Sequence, residues 1–221
     1  DGEAAAATPL ANAGTDVSTL TAEERRIVKR YTYAMVYQID QAVGRIIDSL
    51  KRAGVWENTI IVFTSDHGDF LCDHARLRKS INASDSLLHV PFVIRAPGAG
   101  LPGRVDAPMS NVDVLPTLAA MAGVPGPTWV HGVDIARVVR DGEDQVAANP
   151  PGSLSYCSGG EPETVNYTVY DEAYRFTVYP HTGYAELYDH REDPGEMRNL
   201  VEVQPERAAA MRRIIESQLL M

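Results

Sequence analysis

The chain has 221 residues, 44% of them hydrophobic and 23% charged, which fits a globular protein of one large domain or one plus a small one. A net charge of −10, with no basic run longer than Arg25-Arg26 or Arg212-Arg213, argues against a nucleic-acid partner. No run reaches the ~18 apolar residues of a membrane span, and Cys72 and Cys157 do not make a disulfide framework, which mildly favours a reducing, cytoplasmic setting over a periplasmic or secreted one without deciding the compartment.

Residues 1–20 are rich in Ala, Thr, Gly, Asn and Asp without an apolar period, and read as a lead-in loop. The chain opens on Asp1-Gly2-Glu3 without Met, so a missing export signal says nothing firm. Thr21-Ala22-Glu23-Glu24 is a capping box, and Ile27, Tyr31, Ala34, Met35, Ile39, Val43, Ile46, Ile47 and Leu50 follow at helical spacing up to Gly54. The pattern predicts one long helix over 21–53 with one buried face, and Tyr31, Tyr33 and Tyr37 read as packing residues.

Residues 59–65, Thr-Ile-Ile-Val-Phe-Thr-Ser, read as a buried parallel strand, and Val90–Ala96 as another short buried strand with Pro91 at its start. Asp113 to Gly123 predicts a short helix, with Asp113 as cap, Pro116 in the first turn and Gly123 as stop. This helix, strand, loop, strand, helix order is that of a layered α/β domain, placed over 21–140. An acidic, then Pro-, Gly- and Ser-rich stretch at 141–160 reads as a linker or loop. Beyond it, 161–221 predicts a small antiparallel sheet from runs 167–170, 174–179 and 185–188, closed by a terminal helix opening at Pro205.

The chemistry concentrates where strand 59–65 ends in Asp66-His67-Gly68. A carboxylate and a neutral imidazole at a strand tip suit Ca²⁺, Mg²⁺ or Mn²⁺ once further carboxylates complete the shell. Gly68 lets the backbone turn sharply beside the ion. Taken alone, such a triplet is more often a turn with a helix cap. His74 alone is more often a hydrogen-bonded loop histidine, and Lys79 a solvated lysine. His89, His131, His181 and His190 have no partner spacing and read as structural.

The residues from Thr59 to Gly68, followed by Asp73-His74 and by Lys79 twelve positions after His67, resemble the second half of a sulfatase, a family of the alkaline-phosphatase superfamily. Tyr33–Asp40 with Val43-Gly44-Arg45-Ile46 resembles the family helix before that strand, Val90–Gly98 its next strand, and Asp113–Leu118 the helix after it. Glu186-Leu187-Tyr188-Asp189, Asp193-Pro194-Gly195-Glu196 and Asn199-Leu200 resemble its C-terminal tail.

The resemblance implies part of an alkaline-phosphatase-like layered α/β domain with a small C-terminal antiparallel sheet and terminal helix. It implies that Asp66 and His67 are metal ligands for one divalent cation, Ca²⁺ foremost, with Mn²⁺ and Mg²⁺ as alternatives. Lys79 matches the lysine that contacts the substrate's anionic oxygens and stabilises charge toward the leaving group. His74 matches a loop histidine of one branch, and Asp73 is expected to orient the loop. The implied activity is hydrolysis of an anionic sulfate ester. The alternatives are a phosphonate monoester or phosphodiester hydrolase, and a non-catalytic relative.

The sequence also departs from the family. Cys72 replaces the glycine before Asp73, and Asn82-Ala83-Ser84-Asp85 stands where Tyr or Phe followed by Glu is common. The Cys- or Ser-x-Pro-x-Arg motif, whose first residue becomes formylglycine, is absent. The resemblance thus implies that nucleophile and remaining metal ligands lie in an N-terminal half outside these residues. It predicts that the 221 residues alone are inactive. Homo-oligomerisation stays open.

Overall fold

A computed structural model describes residues 15–101, 103–104, 109–126, 129–136, 153–157 and 162–219, with backbone alone for 153–157 and 163. The described residues divide into two units, one of 15–80 and 89–99, the other of 81–88 and those from 100 onward.

The first unit is dominated by helix α1, Ala22–Arg52. Its capping box forms as expected: Glu24 N donates to Thr21 Oγ1 at 3.3 Å, and Thr21 N donates to Glu24 Oε2 at 2.8 Å. Glu23 and Glu24 in the first turn and Lys51 and Arg52 in the last match the helix dipole, and Gly54 ends it at φ 70. The expected buried face is not buried: no residue of α1 is, and Tyr31 and Tyr37 are 71% and 65% exposed. The apolar stripe needs a facing surface, and among the described residues this unit supplies only two two-stranded sheets and their loops.

One of these sheets pairs β1, Thr15–Asp16, with β3, Arg76–Leu77. The other pairs β2, Ile61–Thr64, with β4, Phe92–Arg95, in register from Ile61↔Arg95 to Thr64↔Phe92. The expectation of a buried parallel strand over 59–65, with a second buried strand over 90–96, is corrected here. The pairing is antiparallel, and Phe63 and Val93 are exposed. A run apolar on both faces fits a doubly covered strand, but among the described residues each strand has one neighbour and neither strand is fully buried. Arg95 fastens the sheet's entry. Its guanidinium lies 3.8 Å from the Trp56 ring centroid and donates to Trp56 O and Glu57 Oε2, both at 2.8 Å.

The second unit contains the four-stranded antiparallel meander β5–β6–β7–β8: Ser153–Cys157, Asn166–Tyr170, Tyr174–Val178 and Ala185–Asp189. Strand β5 lies within the stretch read as a linker, whose residues 141–152 and 158–160 are outside the described ones. Short helices α2, Asp85–Leu88, and α3, Val114–Met121, precede the sheet, and α4, Pro205–Leu219, follows it.

Period-two alternation sorts the sheet's faces. Val169, Phe176, Val178 and Leu187 meet Ala208, Met211 and Ile215 of α4 in the main core. On the opposite face Thr168, Thr177 and Glu186 form a buried polar row, with Arg175 beside it. Arg175 is bonded to Glu196, Thr177 and Glu186, and Glu196 also accepts from Ser84 Oγ at 3.1 Å and Asp85 N at 3.0 Å.

Asp113 stands at the N-cap position of α3, as expected, but its side chain makes no capping bond to that helix. It is the third residue of a 3₁₀ turn capped by Ser110, and its carboxylate accepts from Ser110 N and from Val133 N.

Candidate active site

Strand β2 ends at Thr64, and the next residues turn outward. Ser65 Oγ donates to His67 O at 2.8 Å, and His67 N donates to Asp66 Oδ1 at 2.9 Å. That amide holds the Asp66 carboxyl below the usual carboxylate range, against a slight opposing effect of desolvation, so the group is anionic at neutral pH. Asp66 is 83% exposed.

His67 Nδ1 lies 2.8 Å from Gly68 O. A carbonyl only accepts, so Nδ1 carries the proton there, and a ring in its neutral form has its lone pair at Nε2. Nε2 lies 3.5 Å from Asp66 Oδ2, so an oxygen and a nitrogen donor stand side by side at the strand tip. A backbone carbonyl that fixes the tautomer is the support typical of metal-ligating histidines. Two donors fit part of a divalent-cation shell, and among the described residues no group of three or more His, Cys, Asp or Glu side chains completes one.

The following loop returns through β3. Leu71, Cys72, His74, Ala75 and Arg78 all have positive φ, from 46 to 77. Cys72, buried at φ 77, occupies the backbone conformation that the family's glycine would adopt without strain. His74 is exposed, with its ring edge-on to the buried Phe70 at 6.3 Å between centroids. Lys79 is also exposed. Among the described residues, neither has a hydrogen bond or ion pair with Asp66 or His67. The structure therefore brings Asp66 and His67 together, and places His74 and Lys79 on the loop that follows.

Asp73 pairs with Lys29 of α1 at 3.7 Å. The residue that closes the loop is Asp69, whose Oδ1 accepts from both Leu71 N at 2.8 Å and Arg78 N at 3.1 Å. Sequence reasoning passed over it. The signal was present, since an Asp commonly accepts from the amide two residues on.

Two family profiles match the chain: Sulfatase over residues 5–124, and N-sulphoglucosamine sulphohydrolase, C-terminal, over residues 73–220. The chain is 26% identical to Arylsulfatase K of Xenopus laevis over 89% of its own length and 38% of that protein's. It is 33% identical to the uncharacterized sulfatase YidJ of Escherichia coli K12 over 74% of its length and 32% of that protein's. The crystal structure of phosphonate monoester hydrolase of Agrobacterium radiobacter superposes with a TM-score of 0.78 at 25% identity, covering 90% of this chain and 42% of that one. The chain belongs to the sulfatase family and has the α/β fold of alkaline-phosphatase-like sulfatases. It spans 32–38% of the two curated relatives named.

Proposed function

We propose that these residues are the C-terminal portion of a metal-dependent hydrolase of sulfate esters. The reading rests on the Asp66 Oδ2 and His67 Nε2 pair, fixed at a strand tip in a chain of the sulfatase family. Asp66 and His67 would hold one divalent cation, with Ca²⁺ favoured by the hard carboxylate and Mn²⁺ or Mg²⁺ as alternatives. When bound, the cation supplies positive charge that attracts and polarises an anionic ester. Such charge is needed in a chain of net charge −10.

In this reading the Lys79 ammonium binds the ester's anionic oxygens and stabilises charge that grows toward the leaving group. His74 lends a second polar contact from the same loop. The formylglycine nucleophile and the remaining ligands lie on residues outside this chain, so the 221 residues alone do not turn over. Residues 21–140 then belong to the main domain and 161–221 to a C-terminal subdomain.

A second reading keeps the fold and changes the ester to a phosphonate monoester or phosphodiester. It is favoured by the likeness to the Agrobacterium radiobacter hydrolase.

The test is a panel of aryl sulfates, phosphonate monoesters and phosphodiesters, run on the full gene product and on the 221-residue chain. The expected result is turnover by the former alone. Chelation should abolish it, Ca²⁺ should restore it, and Lys79→Ala should lower it about 10²–10³-fold, as for loss of one charge-stabilising donor. Turnover indifferent to chelator and to Lys79→Ala refutes the reading.

A further inference from the structure

We propose that Asp69 is the positioning residue for Lys79, an inference that rests on the reading of Lys79 as the anion-binding group. One carboxylate oxygen of Asp69 accepts from the amides of Leu71 and Arg78, at 2.8 and 3.1 Å, and so ties together both ends of the intervening loop. Asp69 lies two residues after His67, and Arg78 immediately precedes Lys79. The same carboxylate thus links the segment just after the metal-ligand pair to Arg78, the residue immediately before the one that carries the ammonium.

The loop needs such a clasp. Five of its non-glycine residues hold positive φ, a conformation that the Cβ atom disfavours at each one. Arg78 is one of them, at φ 67, and its backbone is held from both sides. Its N–H donates to Asp69, and its carbonyl accepts from Phe70 N at 3.4 Å. Cys72 N to Arg76 O at 2.8 Å and Asp73 N to Phe70 O at 2.7 Å fill the loop's interior. If the Arg78 amide is released, the backbone can relax toward negative φ, and that rotation redirects the chain at Lys79. Asp73, the residue expected to orient the loop, pairs with Lys29 of α1 at 3.7 Å.

The experiment measures kcat and KM in the full gene product for Asp69→Ala, Asp69→Asn, Lys79→Ala and the double variant Asp69→Ala/Lys79→Ala, with amide hydrogen exchange followed over 69–79. Asp69→Ala is expected to lower kcat/KM about 10–100-fold, as for an ångström-scale misplacement of a charge-stabilising group. It should also speed exchange at Leu71 and Arg78. Asp69→Asn keeps an acceptor oxygen and should stay within about threefold of the parent. In the Lys79→Ala background, Asp69→Ala should cost nothing further, because a positioning residue acts only through the group it positions. A merely structural role gives additive losses instead, and additive losses with a damaging Lys79→Ala overturn this proposal while leaving the role of Lys79 intact. A harmless Lys79→Ala overturns the anion-binding reading and this inference with it.

Discussion

Removal of the Glu196 carboxylate strikes the second unit where it is electrostatically most exposed to damage. Arg175 and Glu196 keep only 2% and 3% of their side-chain surface in contact with solvent. Burial works against the Arg175 charge, but Glu196, with Tyr170 and Glu186, outweighs it and holds the guanidinium above its ordinary range. Glu196→Ala deletes the partner of Arg175 and the acceptor for Ser84 Oγ and Asp85 N. Breaking a buried pair in this way costs about 3–5 kcal/mol, because an uncompensated charge stays behind. Glu186, 3.3 Å from Arg175 Nη1, takes up part of the charge, which points to the lower end, about 3 kcal/mol. With a urea slope of about 2 kcal/mol/M, the unfolding midpoint of the second unit should fall by about 1.5 M. Glu196→Gln keeps an acceptor oxygen and should lose less, the difference between charged and neutral hydrogen bonds being about 1–2 kcal/mol. Urea titration followed by far-ultraviolet circular dichroism reads both variants. A loss below about 1 kcal/mol for the alanine variant, or equal losses for Ala and Gln, would show that the buried charges do not hold this unit together.

Asn199→Ala should destabilise the same unit by about 2–3 kcal/mol in the same titration, since Asn199 accepts from Leu187 N and Val201 N and donates to Ala185 O. Burial raises the Glu186 carboxyl above its ordinary value of 4.5, with Arg175 opposing the rise. A raised acid binds its proton more tightly in the folded state, so its contribution is fully present below 4.5 and is lost as pH rises through the folded value. The stability of Glu186→Gln relative to the parent should therefore improve as pH rises above 4.5, and a gap that is flat in pH refutes the assignment. In the 221-residue chain the uncovered α1 face, including Tyr31, Met35, Ile39 and Ile46, should bind a hydrophobic dye. Charged substitution at Ile39 and Ile46 should reduce that fluorescence.

Local signals carried most of the element order. Thr21 and Glu24 cap α1 because both halves of the reciprocal bond lie within four consecutive residues. The runs at 167–170, 174–179 and 185–188 became β6, β7 and β8 because alternation and intervening turns are local as well. What pairs with a strand, or covers a helix, is set by residues far away in the chain. Periodicity therefore marked the apolar stripe of α1 without supplying anything to bury it, and an apolar run marked β2 without fixing the direction of its partner. Strand β5 escaped notice because Ser153–Cys157 follows directly on a Pro- and Gly-rich stretch. Its pairing with β6 is a tertiary choice that intrinsic β-propensity underdetermines.

The site divides along the same line. Asp66 and His67 were legible because adjacent residues at a strand end need no tertiary information to meet, and the structure adds only the carbonyl that fixes the tautomer. A role for Lys79 depends on the path of twelve residues of loop, five of them at backbone angles that sequence favours only for glycine or asparagine. Cys72 shows the point in one residue. As a sequence it was a departure from the family's glycine, yet its backbone takes a left-handed conformation that glycine would adopt without strain, and the residue is buried. A loop that tolerates such a residue is held by contacts rather than by preference. Asp69, joined to Leu71 and to Arg78, makes the contacts that close it. In the proposed arrangement, the path from the strand tip to Lys79 is then held by a side chain that does not itself touch the substrate. A motif search confined to ligands and nucleophiles passes over such a residue even when its Asx-turn spacing is in plain view.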